Sequence, residues 1–500
     1  MKSMFFRCLL ILACLSPLQA QSLERAPQGG LQQQWSWALD QSSLRNASQG
    51  FWVGYSFPRL MRADWYILSG GSWRSVSADS MIVHGVPLED WIKQDGQPQG
   101  GRRAVYRNLH DAEALLVKQI AVLFAFPPGQ ADPSQIEKAK IGNMSLHFDL
   151  DGRPLIWMGE QTQEDSIDWL SRQYSHSLAA KVREEIVTAA GLHELPDQVI
   201  PFIERVLQQD SSEKVRHEAA SALRRQPDER SVRLLVQTAN RDASQRVRRE
   251  AVKALGGLEL ESAERALIEL SRSSQSARLR RQTAESLGRK GTRSAAQALR
   301  EIAFNDADLR VQREAVESLR RSPEESALDV LSQVLQQHPQ ARVRRQAVET
   351  LARLKSDAAW QLIQQALGQD QDESVQREAI ESIARFPDEV SLPELIRALE
   401  SHSSRSVRRE AVEQLARKAS QQVVVTLEQV ARNDADLRVQ RQALESLLEL
   451  EDGVGTEAVI EIARSHPNLR LRKLAIRELG DSDDPRAHRA LIEIVREMLK

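Results

Sequence analysis

The sequence predicts a mainly α-helical solenoid that follows a smaller β-rich or α+β domain. Two observations predict this fold class. A fixed periodicity of 32 residues runs through the last two thirds of the chain. Seven of the nine tryptophans, together with several short β-like apolar runs, precede residue 160. We therefore expect a signal peptide at 1–20, an N-terminal β-rich domain at 21–162, and a solenoid of about ten helix pairs at 163–500.

The first twenty residues have the features of an export signal. Lys2 and Arg7 precede a short apolar run at 8–15, and small residues follow it. This order predicts a cleaved signal peptide and a periplasmic or secreted protein. An alternative interpretation takes 11–14 as a lipobox, which would leave the protein anchored through a lipid on Cys14. Both cysteines lie in this leader, so the predicted mature chain has no thiol for a disulfide, a zinc site or catalysis.

Overall charge argues against nucleic acid as a partner, and hydropathy argues against a transmembrane helix after the leader. The 68 basic and 70 acidic side chains nearly cancel, so the chain has no net field that would attract nucleic acid. After the leader, no apolar run approaches the roughly 18 residues that a transmembrane helix needs. A partner recognised through charge must therefore recognise a local pattern.

The N-terminal domain is predicted from alternating and continuous apolar runs. The runs that predict strands are 51–57, 81–86, 120–126 and 144–160. The last run predicts a hairpin, because Asp151-Gly152 between two apolar arms suits a tight turn with positive φ. A helix is predicted over Asp111–Gln119. This domain contains no nucleophile elbow, phosphate-binding loop, dinucleotide fingerprint or H-E-x-x-H motif.

The repeats are aligned on an aliphatic anchor that precedes basic residues. The anchors are Val215, Val247, Leu279, Val311, Val343, Val375, Val407, Val439 and Leu471, and a weaker copy begins at Val182. Small residues recur four positions after the anchor, and Leu or Ile recurs eight positions after it. This spacing places all three on one helical face. Another amphipathic run precedes each anchor, so each repeat is predicted to be a helix pair that stacks on its neighbours. We call the helix before the anchor the first helix of the repeat and the helix that carries the anchor the second helix.

The repeat pattern V-R-x-E-A-x-x-x-L, as in Val247 to Leu255 and Val407 to Leu415, resembles HEAT repeats of the short phycobilin-lyase type. The resemblance covers about residues 165–500. It implies a superhelical solenoid, an architecture that serves scaffolds, lyases and hydroxylases alike.

A nine-residue stretch, NDADLRVQR, occurs at both 305–313 and 433–441. Asp308 and Asp436 stand three residues before an anchor, where most repeats have a helix N-cap residue. Asp306 and Asp434 fall in the preceding turn, where Asx hydrogen bonding is favoured. We therefore interpret the paired aspartates as turn and cap residues and not as metal ligands.

An enzyme is the alternative hypothesis. Deoxyhypusine hydroxylases resemble this solenoid and hold two irons with His-Glu pairs in several repeats. Here only His217-Glu218 stands at the matching positions, and arginine replaces histidine in the next seven repeats. A bilin-lyase activity has no motif to support it. His338, His402 and His466 recur two repeats apart and are predicted to be turn residues. We expect no catalytic residue, no metal and no cofactor.

Arginine and glutamate alternate on one face of the second helix of five successive repeats, at two, six and ten positions after the anchor. We call the ten arginines of this pattern the arginine stripe. They are Arg281, Arg313, Arg345, Arg377 and Arg409 at the first position, and Arg289, Arg321, Arg353, Arg385 and Arg417 at the third. The stripe has two arginines for each glutamate, which favours binding of a protein or acidic peptide. The competing interpretation is that these are solvated i, i+4 pairs that keep the array soluble.

Overall fold

The computed structural model describes residues 22–41, 48–63, 65–68, 72–75, 82–83, 87–94, 104–105, 114–418, 420–450 and 453–498. The predicted signal peptide, with Cys14, lies outside these residues. The chain forms two compact units, residues 1–267 and 268–500. The first contains the strands and the earliest helix pairs, and the second contains helices.

A five-stranded mixed sheet is the centre of the first unit. The described strands are β1 (Leu23–Arg25), β2 (Phe51–Arg62), β3 (Trp65–Leu68), β4 (Ser72–Ser75), β5 (Ile82–Val83), β6 (Ala104–Val105), β7 (Leu115–Phe126), β8 (Lys138–Asn143) and β9 (Leu155–Glu160). The order in the sheet is β1-β9-β2-β7-β8, with β9 parallel to both β1 and β2 and the other pairs antiparallel. β3 pairs with β4, and β5 with β6, in two-stranded ribbons.

Both faces of this sheet are covered by apolar side chains. On one face, Tyr55 packs edge-on against Trp169, and Trp35 of helix Leu31–Asp40 packs against the same indole. On the other face, Trp52 and Trp91 belong to a separate buried cluster. Side chains of successive strand residues point to opposite faces, so the continuous apolar run of β2 supplies both layers.

The prediction of a helix over Asp111–Gln119 is wrong for residues 114–119, the part of this range that the structure describes. Residues 115–119 begin β7 and pair residue by residue with Pro58–Arg62 of β2. Pairing with β2 satisfies the backbone hydrogen-bonding groups of this segment. This tertiary contact outweighs the helical propensity of a short stretch of sequence.

The hairpin predicted within 144–160 is also wrong, although its turn is present. Asp151 and Gly152 have φ of 53° and 69°, and the amide of Arg153 donates to the carbonyl of Leu150 at 3.0 Å. Residues 144–150 form no strand, however, and β9 pairs with β1 and β2. The turn residues determine a local reversal of the chain, and the choice of strand partner depends on the rest of the sheet.

From residue 163 onward the described residues form ten helix pairs and a final helix. The first helices of the pairs are Gln163–Gln173, Pro196–Gln209, Glu229–Arg241, Glu261–Ser273, Arg293–Asn305, Glu324–Gln337, Asp357–Gln369, Asp388–Ser401, Gln421–Asn433 and Thr456–Ser465. The second helices are Ala180–Ala190, Glu213–Leu223, Gln245–Gly257, Ala277–Lys290, Leu309–Ser318, Ala341–Leu354, Glu373–Ile383, Arg405–Ala416, Leu437–Glu449 and Leu469–Asp481. The final helix is Pro485–Met498, and short 3-10 segments occur at Pro133–Gln135 and Leu319–Arg321.

The predicted anchor face forms the core of the repeats. Val343, Ala347 and Leu351 are fully buried, as are the anchors, the small residues and the leucines of most other repeats. Within each unit, each second helix packs against the next one. The alanines permit this close approach, and the leucines fill the space behind them. The sequence therefore predicted the repeat and its core correctly.

Candidate partner-binding face

A row of arginines that the sequence interpretation left out connects adjacent repeats. Arg344, one position after its anchor, donates from Nε and Nη2 to the carboxylate of Asp370 in the next repeat, at 2.7 and 2.9 Å, and from Nη1 to the carbonyl of His338. The other pairs are Arg183–Asp210, Arg216–Asp242, Arg280–Asp306 and Arg408–Asp434. We call these the turn arginines. Their bidentate geometry and burial make them structural.

Three repeats replace this pair with glutamine and histidine. Gln312 donates to the carbonyl of Asp306 at 2.7 Å, and His338 occupies the position that aspartate has in other repeats. Nδ1 of His338 accepts from the amide of Gln340 at 3.1 Å, and burial lowers the pKa of His338. His402 and His466 accept from the amides of Ser404 and Asn468 in the same way. These contacts confirm the prediction that the three histidines are turn residues.

The sequence contained a signal for these pairs. In four repeats arginine one position after the anchor is followed 26 residues later by aspartate, as in Arg344 and Asp370, although Arg248 is followed by Ser274. In the three repeats with glutamine at that position, histidine follows, as in Gln312 and His338. In the arginine repeats the two side chains meet across the repeat boundary, which explains why aspartate accompanies arginine there.

The paired aspartates of the repeated stretch have the predicted roles. Asp308 caps its helix by accepting from the amide of Arg310 at 2.8 Å, and Asp306 accepts from the amide of Asp308 at 2.8 Å. Asp306 also binds Arg280, a contact that the sequence interpretation missed. Seven of the eight predicted side-chain caps accept such a hydrogen bond, and Ser212 is the exception.

The arginines two positions after each anchor lie on the second helices and reach across to the next one. Each contacts the residue 33 positions later in the sequence. The contacts are Arg281–Glu314 at 3.8 Å, Arg313–Gln346 at 3.0 Å, Arg345–Glu378 at 3.7 Å, Arg377–Glu410 at 2.7 Å and Arg409–Gln442 at 3.2 Å. These cross-repeat contacts hold the guanidinium groups, which are exposed or in Arg313 half-buried, in a regular row.

The other five arginines of the stripe have more varied surroundings. Arg353 lies 3.2 Å from Glu317 and 2.6 Å from Glu349, and Arg385 lies 3.8 Å from Glu378. Arg289 donates to the hydroxyl of Ser286 at 2.8 Å, Arg417 donates to Gln414 at 3.4 Å, and Arg321 is exposed in its 3-10 segment. Glutamates three residues after the anchor, such as Glu378, and six residues after it, such as Glu317 and Glu349, therefore offset much of the arginine excess that the sequence pattern indicated.

Several of these cross-repeat glutamates are poorly solvated. Only 11% of the Glu378 side chain is exposed, and burial, together with the negative charges of Glu381 and Glu349, raises its pKa, although Arg385 and Arg345 oppose that shift. Burial raises the pKa of Glu314 as well. These carboxylates are therefore easier to protonate than ordinary surface glutamates.

His217 and Glu218, the one His-Glu pair at the positions of the di-iron hypothesis, contact different side chains and do not point toward a shared site. His217 contacts Glu250 at 3.4 Å, whereas Glu218 accepts from the hydroxyl of Thr188 at 3.0 Å. In the described part of the chain, no group of three or more His, Cys, Asp or Glu side chains is arranged to hold a metal ion. No described helix is long and apolar enough to span a bilayer.

In the first unit, a buried hydrogen-bond chain connects the sheet to the helices. Tyr55 lies 2.9 Å from the hydroxyl of Ser166, which lies 2.8 Å from Nε2 of His193, and Nδ1 of His193 faces the carbonyl of Ala189. Burial lowers the pKa of His193 to about 4, so the ring is neutral and one tautomer satisfies the chain. Because all three side chains are fully buried, this network is structural.

The comparison with protein families agrees with this architecture. The model of the HEAT repeats family matches residues 167–256, 232–320, 263–352, 296–384, 328–416 and 392–460. No curated protein matches the sequence. Similar solved structures include human deoxyhypusine hydroxylase (19% identity, 52% of this chain and 97% of that one, TM-score 0.25) and the complex of CpcE and CpcF of phycocyanin lyase from Nostoc sp. (20%, 55% and 93%, TM-score 0.22). Another is importin beta (14%, 63% and 50%, TM-score 0.33).

Proposed function

Because the chain belongs to the HEAT-repeat family, we propose that it is an exported, non-catalytic scaffold or adaptor that binds a protein partner through the surface of its second helices. The observation that carries this proposal is the row of arginines at 281, 313, 345, 377 and 409. Each guanidinium is exposed or half-buried and is held by a side chain of the next repeat.

Such an ordered row favours binding for an entropic reason. A flexible arginine loses up to about 2 kcal/mol of rotamer freedom when a partner immobilises it. Cross-repeat contacts restrict these side chains before the partner arrives. The row contains both signs of charge, which favours a partner with spaced acidic groups over a uniform polyanion.

Export is part of the proposal and rests on the leader sequence. Cleavage near residue 20 would release the protein into the periplasm or medium, whereas processing at Cys14 would leave a lipid anchor. The intact mass of the mature protein separates the two, because only the second route adds acyl chains. A mass that retains residues 1–20 would contradict both.

A photoreactive amino acid in living cells tests the binding surface. We expect one discrete adduct when it replaces Glu317 or Glu381 on second helices. We expect none when it replaces Gln336 or Gln365, which are exposed on first helices. Equal labelling from both kinds of helix, or no adduct from either, would contradict the proposal.

Metal analysis of the purified protein tests the enzyme alternative. Iron or zinc at one or more equivalents per chain, removable only by chelation, would support an enzyme and overturn the scaffold proposal. We expect trace amounts that dialysis removes.

A further inference from the structure

The arginines at the first position of the stripe differ in the residue that holds them. Arg345 and Arg377 face the carboxylates of Glu378 and Glu410, so each charge is neutralised within the protein. Arg313 instead donates to the side-chain amide oxygen of Gln346, at 3.0 Å. Within the described residues, no carboxylate oxygen lies within 4.0 Å of the Arg313 guanidinium.

Arg409 has the same kind of partner. It donates to the amide oxygen of Gln442 at 3.2 Å. The nearest carboxylate to Arg409 is that of Glu413 in the same helix, at 3.8 Å. Both side chains of this ion pair are exposed, so the pair is weak.

A glutamine acceptor orients a guanidinium without neutralising it. Gln346 is itself fixed, since it is buried and its Nε2 donates to Glu349 at 3.0 Å. Arg313 is thus oriented by one hydrogen bond to an uncharged acceptor, whereas Arg377 makes two to the carboxylate of Glu410, so the charge of Arg313 is still available to an incoming carboxylate. Charge-assisted hydrogen bonds from a fixed guanidinium are about twice as strong as neutral ones.

We propose that Arg313 and Arg409 are the positions at which the second-helix face binds carboxylates of an acidic peptide segment. This inference rests on the proposed scaffold function and names the chemistry of its partner. The two arginines are 96 residues apart in sequence, which is three 32-residue repeats. With neighbouring helices about 10 Å apart, they are separated by at most about 30 Å.

That separation specifies the partner further. An extended chain covers about 30 Å in roughly nine residues. The partner segment should therefore carry two carboxylate groups or clusters about nine residues apart. A nucleic acid fits less well, because Glu317, Glu349 and Glu381 lie along the same face and would repel a continuous row of phosphates.

Fluorescence anisotropy with a labelled synthetic peptide tests this inference on the full mature chain. The peptide carries two Glu-Glu-Glu clusters with centres nine residues apart in a Gly-Ser background, and its control has glutamine in place of glutamate. We expect the double variant R313Q/R409Q to bind the acidic peptide about tenfold more weakly than wild type. The matched variant R310Q/R438Q removes the same charge from exposed arginines outside the stripe and should bind within about twofold of wild type.

The outcomes separate this inference from the proposed function. If R345Q/R377Q weakens binding as much as R313Q/R409Q, or if a single-stranded oligonucleotide competes as well as the acidic peptide, the inference is wrong. It is also wrong if wild type binds the acidic and glutamine peptides equally. In each of these cases discrete photoadducts at Glu317 would leave the scaffold proposal standing. Unchanged thermal melting of R313Q/R409Q excludes misfolding as the cause of lost binding.

Discussion

Arg344 and Arg345 are neighbours in one helix, and they illustrate two different uses of arginine. Only 15% of the Arg344 side chain is exposed, and it makes two hydrogen bonds to Asp370 and others to backbone carbonyls. For Arg345 the exposed fraction is 47%, and a single contact to Glu378 at 3.7 Å holds it. The turn arginines therefore stabilise the array, and the arginine stripe is presented to solvent.

The difference shows that a repeated basic residue is not by itself a binding residue. One step along a helix turns the side chain by about 100°, from the turn between repeats to the open face. Function must then be inferred from what each guanidinium already contacts.

The largest expected effect comes from breaking a turn pair. Arg344→Ala should cost about 3–5 kcal/mol, because the Asp370 carboxylate, with 5% of its side chain exposed, would lose its partner while remaining buried. The double variant R344Q/D370H introduces the residues that Gln312 and His338 supply at the equivalent positions, where each satisfies backbone groups instead, and should recover part of this loss. Urea denaturation measures both. A loss for Arg344→Ala no greater than for Arg345→Ala would contradict the distinction between the two rows.

A smaller effect separates members of the stripe. Arg377→Gln removes the ion pair to Glu410, whose side chain is only 5% exposed, and should cost about 1–3 kcal/mol. Arg313→Gln leaves Gln346 facing another neutral amide and should cost less than about 0.5 kcal/mol. Thermal melting compares them directly. Equal losses would show that the glutamine-held arginines are as structural as the others.

Substitution of a helix N-cap residue should change the free energy of unfolding by less than the loss of a turn pair. Asp308→Ala should destabilise the chain by about 1 kcal/mol, because the amide of Arg310 loses its acceptor. Gln340 occupies the same position without a side-chain cap, so Gln340→Asp should stabilise by a similar amount. Hydrogen exchange of the first turn of each helix reports the change. If both substitutions leave exchange unaltered, packing alone determines where these helices begin.

The smallest expected effect depends on pH. Because the pKa of Glu378 is raised in the folded chain, its ionisation opposes folding, so its contribution favours folding at low pH and is lost as pH rises through the folded pKa. Protonation also removes the charge that faces Arg345 and Arg385. Affinity for an acidic peptide should therefore rise a few-fold as pH falls from 7 through the raised pKa of Glu378. Glu378→Gln should reduce this pH dependence, and an unchanged profile would exclude Glu378 as its source.

The sequence predicted the helical region better than the sheet, for a reason visible in particular residues. Val343, Ala347 and Leu351 are close in both sequence and space, so their spacing alone defines the buried face. By contrast, Leu155–Glu160 pairs with strands that begin at Leu23 and Phe51, and no local pattern specifies such distant partners. The same limitation explains why a helix was predicted where β7 begins.

For the candidate site, the sequence by itself determined the arginine positions, their 32-residue spacing and the assignment of Asp306 and Asp308 to a turn and a cap. The tertiary structure alone showed that Arg344 is committed to Asp370, that Arg377 is neutralised by Glu410, and that Arg313 is held by an uncharged glutamine. The physical reason is that the charge available at a side chain depends on its neighbours across the repeat boundary, about 30 residues away in sequence and a few ångströms away in space.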